Sequence, residues 1–361
     1  MKSMTELISW FQLEYPSLAK SMKLSNHHLE KRDVAGNASM VGILPSKGVP
    51  ESLNPYHLES DIFTHTMMVC KQAENASYEV RIAALLHDIG KPSTRKVNAK
   101  NGRVSFYNHD AVGAFMALEI LKREELGLTK NQQVHIFNLI ALHTQIYKLR
   151  VEQLGQISSD DKFIEDLIEL GEADHSGRFH TEGNAVIPSL GDIPPFYTLS
   201  SRKDTTKEVI VLCGLPASGK SRYSSDYIDK NIKECFFVSR DYCLLVEAGE
   251  VGSYTEAWNK ADQSKVNTRL DKEFRKAKNY DKVIVDMTHM SKKSRRKSLS
   301  HFGPEYKKRC IVFLTDLQTL KLRNEARTGK VIDREVVDKM MRSFYPPTME
   351  EFDEIEYIIG D

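Results

Sequence analysis

Apolar residues recur at helical spacing through the first half of the chain and in short unbroken runs through the second. VRIAALLHDIGKP closes an apolar stretch with Gly90 and Pro92, the usual punctuation of a helix end. HDAVGAFMALEILKREEL places Val112, Phe115, Met116 and Ile120 on one helical face, and VHIFNLIALHTQIYKL and DKFIEDLIELGEAD read the same way. No convincing alternating strand stands before about residue 185. NAVIPSLGDIPPFYTLSSRKDTT then loses periodicity and gains Pro, Ser and Thr, which predicts a linker over 185–206. After it come EVIVLC (208–213), CFFVS (235–239), KVIVDM (282–287) and CIVFL (310–314), apolar runs of strand length separated by long helical stretches. Such alternation predicts a parallel sheet with helices on both faces. The expected fold class is α plus α/β in two domains, an all-α domain over 1–184 and a parallel-sheet domain over 207–361.

The length of 361 residues agrees with two domains at roughly 100–200 residues each. With 40% hydrophobic and 28% charged residues, the composition excludes a wholly disordered chain. No uncharged apolar run approaches the ~20 residues that span a bilayer, so no membrane partner is expected. The opening MKSMTELISWFQLEYPS is interrupted by Glu6 and Gln12 and is not read as a signal peptide. Cys70, Cys213, Cys235, Cys243 and Cys310 form no CxxC pair, which suits a reducing compartment; a cytoplasmic location is expected. The net charge of +1 hides an asymmetry. Residues 1–206 carry 22 basic and 25 acidic side chains and 207–361 carry 29 and 25, with six acids and no base in the last twelve positions. A basic body ending in an acidic tail is suggestive of a polyanionic partner.

Chemistry is most explicit at Gly214-Leu215-Pro216-Ala217-Ser218-Gly219-Lys220-Ser221, which fits GxxxxGK[ST] between a predicted strand and a helix. Glycines let the backbone wrap phosphates, Lys220 reaches the β- and γ-phosphates, and the Ser221 hydroxyl holds Mg²⁺. ATP with Mg²⁺ is the implied cofactor. Asp241, 21 residues after Lys220, follows a predicted strand and is the candidate base for an acceptor hydroxyl. Asp286 ends KVIVD, where it would assist Mg²⁺ or its waters. Arg323 and Arg327, four apart in LRNEARTG and so on one helical face, would close over the phosphates as a lid. SKKSRRK (291–297) holds five bases in seven positions, either a solvated helix face or a phosphate-backbone contact.

Through GLPASGKS, FFVSRD, VIVDMTHMSKKSRR and LRNEARTGK, residues 207–361 resemble the kinase domain of polynucleotide 5′-kinases that heal nucleic-acid ends. The resemblance implies Asp241 as general base for a 5′-OH, with Lys220 and Arg327 stabilising the transferred phosphoryl group. Members of that family often carry an arginine just after the catalytic aspartate to hold the acceptor phosphate. Here the stretch reads Asp241-Tyr-Cys-Leu, so that contact must come from elsewhere, with Arg295 and Arg296 as candidates.

In the helical half, His65, His87, Asp88 and Asp174 are ligand types for a borderline or hard divalent ion. The His87-Asp88 pair follows the apolar run IAALL, and charge at the end of a buried helix needs a compensating partner. THTMMV, LLHDIGKP and GEADHSGR resemble the HD phosphohydrolase superfamily over about residues 50–182. NPYHLESDIFTHTMMV is especially similar to the HD domain attached to some bacterial tRNA nucleotidyltransferases. The resemblance implies one or two ions of Mn, Ni, Co, Zn or Fe. It also implies His109 and His143 as ligands of a second ion, with Lys91 and Arg178 placed to bind substrate phosphate. Metal would polarise a phosphoryl oxygen and lower the pKa of a bound water.

An HD phosphohydrolase joined to a P-loop kinase resembles bifunctional end-healing enzymes. The expectation is ATP-dependent phosphorylation of 5′-OH ends of RNA or DNA, with metal-dependent removal of a 2′,3′-cyclic or 2′-phosphate at the other end. No KxDG-type nucleotidyl lysine occurs, so a separate ligase is implied. Two alternatives stand beside it: a small-nucleotide kinase fused to a nucleotide phosphohydrolase, and an ATP-driven switch with an HD sensing module.

Overall fold

The computed structural model describes residues 1–25, 61–98, 104–148, 151–178, 205–231 and 234–360, with four two-residue strands between Lys31 and Pro50. The linker expected at 185–206 falls outside these residues except for Thr205 and Thr206, as does the NPYHLES stretch. The chain divides into two compact units, Met1–Leu154 with Asp160–Pro195, and Gly155–Ser159 with Phe196–Asp361.

The first unit is built on α1 (Met4–Glu14), α2 (Pro16–Leu24), α3 (Ile62–Gln72), α4 (Tyr78–Leu86), α5 (Lys91–Thr94), α6 (His109–Leu121), α7 (Lys130–Leu142), α8 (Val151–Leu154) and α9 (Asp161–Ser176). Local sequence sets several of the starts. Ser3 and Thr129 form capping boxes with Glu6 and Gln132, while Asp61, Ser77 and Asp160 each accept a first-turn amide. Leu85, Leu86, Ile89, Phe115, Leu118, Phe137, Leu139, Leu167 and Leu170 are all buried, each contributing roughly 1.5–3 kcal/mol of burial.

Short strands also occur here, below what periodicity can show. β1 (Lys31–Arg32) pairs with β2 (Ala38–Ser39), β3 (Pro45–Ser46) with β4 (Val49–Pro50), and β5 (Lys96–Val97) with β6 (Val104–Ser105), all antiparallel. Two residues are too few to leave an alternation in the sequence.

In the second unit the order is β7 (Glu208–Cys213), α10 (Lys220–Lys230), β8 (Cys235–Ser239), α11 (Arg240–Ala248), α12 (Tyr254–Lys260), α13 (Gln263–Ala277), β9 (Lys282–Asp286), α14 (Lys292–Leu299), β10 (Lys307–Leu314), α15 (Leu317–Glu325), α16 (Arg334–Arg342) and β11 (Glu354–Ile359). The five strands β7 to β11 form one parallel sheet in the order β11-β10-β7-β9-β8. Ile210, Leu212, Ile284, Ile311 and Phe313 cluster in one core. Their strand neighbours Val209, Val211, Val283, Val285 and Val312 are buried as well. Covering on both faces is why these strands read as continuous apolar runs.

The acidic end of the chain is part of the fold and not a tail. β11 runs parallel beside β10, and its Glu354 accepts from Lys307 and from Arg309 Nε. Strand β10 is accordingly longer than the apolar run 310–314, because its first three residues are basic.

Candidate active sites

Six predicted residues of the helical unit converge. His65 comes from α3, His87 and Asp88 from the turn closing α4, His109 from the start of α6, His143 from the end of α7, and Asp174 from α9. Gly90 makes the approach possible: a Cβ there would lie 2.2 Å from the His109 carbonyl oxygen and 2.6 Å from the Gly113 nitrogen. The HD turn therefore rests directly on the backbone of α6.

Three of the rings are oriented by the same device. Nδ1 of His87, His109 and His143 donates to the carbonyl oxygens of Ala84, Phe106 and Ile140 at 2.8, 2.8 and 2.7 Å. A carbonyl only accepts, so Nδ1 carries the proton and Nε2 presents its lone pair inward. His65 Nε2 lies 3.4 Å from His87 Nε2, and His109 Nε2 lies 3.2 Å from His143 Nε2. Asp88 sits between the two pairs. Its Oδ2 is 3.5 and 3.2 Å from His65 and His87, and its Oδ1 is 3.3 and 3.8 Å from His109 and His143. Asp174 Oδ1 adds to the first pair at 3.0 Å from His65 Nε2.

Little of this is open to bulk water: the His109 and Asp174 side chains are 15% and 10% exposed, against 1% for Asp88. Both Asp88 oxygens are buried without a hydrogen bond of good geometry. Two lone pairs facing each other at such distances are poor partners, whereas donors ~3–3.5 Å apart are the spacing around an ion bonded at ~2.1 Å. The donor set thus fits divalent metal in two groups, His65, His87 and Asp88 with Asp174 alongside, and Asp88 with His109 and His143. Burial works to raise the Asp88 and Asp174 carboxyls, but neighbouring histidines with Lys91 and Arg178 hold both well below the usual range. Burial and the facing His109 and His87 bring His143 down to about 4, so it stays a neutral ligand at physiological pH. Imidazole with carboxylate suits Mn, Fe, Co, Ni or Zn.

The two cations expected nearby are both present. Lys91 is buried with Nζ 2.6 Å from Asp88 Oδ2. Arg178 stacks over the Tyr147 ring, 5.0 Å from its centroid. Tyr147 itself was not foreseen. Its hydroxyl donates to Asp174 Oδ2 at 2.6 Å, and burial with that carboxylate raises its pKa. Asp110, next to His109 and electrostatically close to His143, accepts from Thr144 Oγ1 at 2.5 Å.

In the sheet unit, the phosphate loop leaves β7 and ends on the first residue of α10. Gly214 and Gly219 adopt φ of 158° and 105°, and a Cβ on Gly214 would lie 3.0 Å from the Phe313 carbonyl oxygen. Lys220 Nζ donates to the carbonyl oxygens of Gly214 and Leu215 at 2.8 and 2.7 Å, and burial brings the ammonium down to about 8. Ser221 Oγ donates to Asp286 Oδ2 at 2.9 Å, an oxygen pair suited to Mg²⁺. Asp241 lies in the first turn of α11, where its carboxylate accepts from Tyr254 Oη at 2.8 Å and from Lys330 Nζ.

Residues 62–168 match the HD domain family, and residues 209–347 match the AAA domain family. The chain joins an HD domain to an AAA domain. The first is of a kind that holds divalent metal, the second of a kind that holds a nucleotide with Mg²⁺. An A-adding tRNA nucleotidyltransferase of Deinococcus radiodurans is 40% identical over 75 residues, 20% of this chain and 17% of that protein. The chain therefore spans under a fifth of that relative. Among solved structures, the Pnkp1/Rnl/Hen1 RNA repair complex is similar at 21% identity over 40% of this chain and 45% of that chain, with a TM-score of 0.32. A gluconokinase from Sinorhizobium meliloti 1021 is similar at 14% identity over 43% and 83%, also with a TM-score of 0.32.

Within the AAA domain several expectations need correction. Arg295 is not an acceptor contact. It is fully buried, with Nη2 and Nε donating to Glu351 at 2.7 and 3.1 Å and Nη1 to the Tyr345 carbonyl oxygen at 2.9 Å. Arg296 and Lys292 both pair with Glu350. The basic run is thus largely spent on the acids at 350 and 351. Arg323 and Arg327 do not share a helix, because α15 ends at Glu325 and Ala326 caps it. Arg327 remains close enough to act electrostatically on Lys220 and Tyr254. The cation beside Asp241 is Lys330, the last residue of the LRNEARTGK motif.

Proposed function

We propose that the chain heals nucleic-acid ends. The AAA domain transfers the γ-phosphoryl of ATP to a 5′-OH, and the HD domain releases phosphate from a 2′,3′-cyclic or 2′-phosphate end. A single arrangement carries the kinase half: a half-exposed carboxylate, Asp241, oriented by Tyr254 and Lys330 at the sheet edge that bears the phosphate loop. A positioned carboxylate in that place takes the proton of an attacking hydroxyl, and Lys220, Arg327 and Lys330 offset charge on the phosphates. Lys330 also supplies a cation where the residue after Asp241 is Tyr242 and not arginine. Such a base favours transfer over an ATP-driven switch, which needs none.

In the HD domain, His65, His87, Asp88 and Asp174 would hold one ion and Asp88, His109 and His143 a second, with Lys91 and Arg178 for substrate phosphate. Metal there would acidify a bound water and polarise the phosphoryl oxygen. The products, a 5′-phosphate and a phosphate-free 3′ end, are substrates for a separate ligase.

The test is transfer of label from γ-labelled ATP to a 5′-OH oligonucleotide, run beside free nucleosides, together with phosphate release from a 2′,3′-cyclic end. Oligonucleotide labelling with cyclic-phosphate opening is the expected result. Labelling of nucleosides alone would install the small-nucleotide kinase reading instead, and ATP turnover with no acceptor labelled would install the switch.

A further inference from the structure

One aromatic at this site has no place in the scheme so far. Trp258 lies on α12, four residues after Tyr254 and so on the same helical face as the ring that orients Asp241. It is 46% exposed, although a Trp is usually drawn into the core. Its position is not loose. The Arg240 guanidinium stacks 5.0 Å from the ring centroid. Arg240 Nη2 in turn donates to Gln263 Oε1 at 2.7 Å, and the Gln263 amide donates to the Trp258 carbonyl oxygen at 3.2 Å. Arg240 is the immediate neighbour of Asp241, so base and indole are tied through one residue. On the other side Tyr254 is held by the Gly329 carbonyl oxygen, which accepts its amide at 2.7 Å, and Lys330 Nζ lies 4.7 Å from the Tyr254 ring centroid.

We propose that Trp258, braced by Arg240, is the stacking platform for the nucleobase of the 5′-terminal acceptor nucleotide. The inference rests on the end-healing reading and deepens it. An acceptor that presents its 5′-OH to Asp241 extends its sugar and base away from the phosphate loop, along α12. Three chemistries then lie in sequence along that path: carboxylate for the hydroxyl, Lys330 for the neighbouring phosphate, and an indole face for the base. A π-face accepts every base, so the platform selects a nucleotide end over a sugar without selecting sequence.

The experiment uses the full chain with two oligonucleotides, one carrying a normal 5′-terminal nucleotide and one whose first residue is abasic. Trp258→Ala should raise KM for the normal oligonucleotide about ten- to a hundredfold, the factor that one lost stacking contact corresponds to. KM for ATP and kcat should hold, Trp258→Phe should restore most of the loss, and the abasic oligonucleotide should be used equally poorly by all three proteins. Because the chain has two tryptophans, a Trp10→Phe background also isolates the Trp258 fluorescence, which the normal oligonucleotide should quench and the abasic one should not. An unchanged acceptor KM in Trp258→Ala, an equal loss on both oligonucleotides, or a raised KM for ATP would each overturn the platform while leaving the kinase reading intact. Failure of the wild type to label either oligonucleotide would overturn the end-healing reading, and the platform with it.

Discussion

With one oxygen of Asp88 facing each pair of histidines, its removal should empty both metal positions, whereas loss of His109 or His143 should empty one. Elemental analysis of the purified chain is expected to approach two ions for the wild type, one for His109→Ala or His143→Ala, and none for Asp88→Ala. A wild type holding a single ion that survives His143→Ala would reduce the site to one metal. At the other centre, Asp241→Asn removes the proton acceptor but leaves the phosphate loop whole. Transfer should fall by about 10² to 10⁴ with nucleotide binding unchanged, as single-turnover kinetics would register. Lys220 sets a pH limit of its own. Burial depresses it to about 8, so its positive charge is complete below that pH and lost as pH rises through it. ATP affinity should accordingly be flat from pH 6.5 to 7.5 and fall by up to about tenfold per unit above 8, measured by calorimetry.

At the level of elements, the contact between the HD turn and α6 is the least forgiving. Gly90→Ala would push a methyl group into the backbone of His109 and Gly113, which cannot swing aside as a side chain would. We expect a stability loss on the order of 1–3 kcal/mol, with weakened retention of the ion at His109 and His143, read by thermal unfolding alongside metal content. Sequence made the sheet largely legible because β7, β9 and the second half of β10 are buried and leave unbroken apolar runs. β11 was illegible for the opposite reason: an edge strand alternating Glu354-Ile-Glu356-Tyr carries charges that read as a solvated tail. The candidate metal ligands were legible as types tied to short motifs. Lys330 was not, since it reaches Asp241 across 89 residues, and only the tertiary fold closes that distance. Tyr147 escaped notice because a hydroxyl that bonds a candidate ligand such as Asp174 has no spacing rule of its own.

Over the whole molecule, the near-neutral charge of +1 is an arrangement as much as a total. Glu350 and Glu351 answer Lys292, Arg296 and Arg295, while Glu354 and Glu356 answer Lys307 and Arg309. The acids from Glu350 to Glu356 are therefore a built-in polyanion against the bases of α14 and β10. Its consequence is measurable as counterion release. Five unpaired bases would give a log–log salt slope of about −3.5 for a single strand, whereas one or two cations at the acceptor site give about −1. Oligonucleotide binding titrated from low to high salt should follow the shallower line. That slope would be the signature of an acceptor recognised at its terminus and not by sliding along a charged backbone.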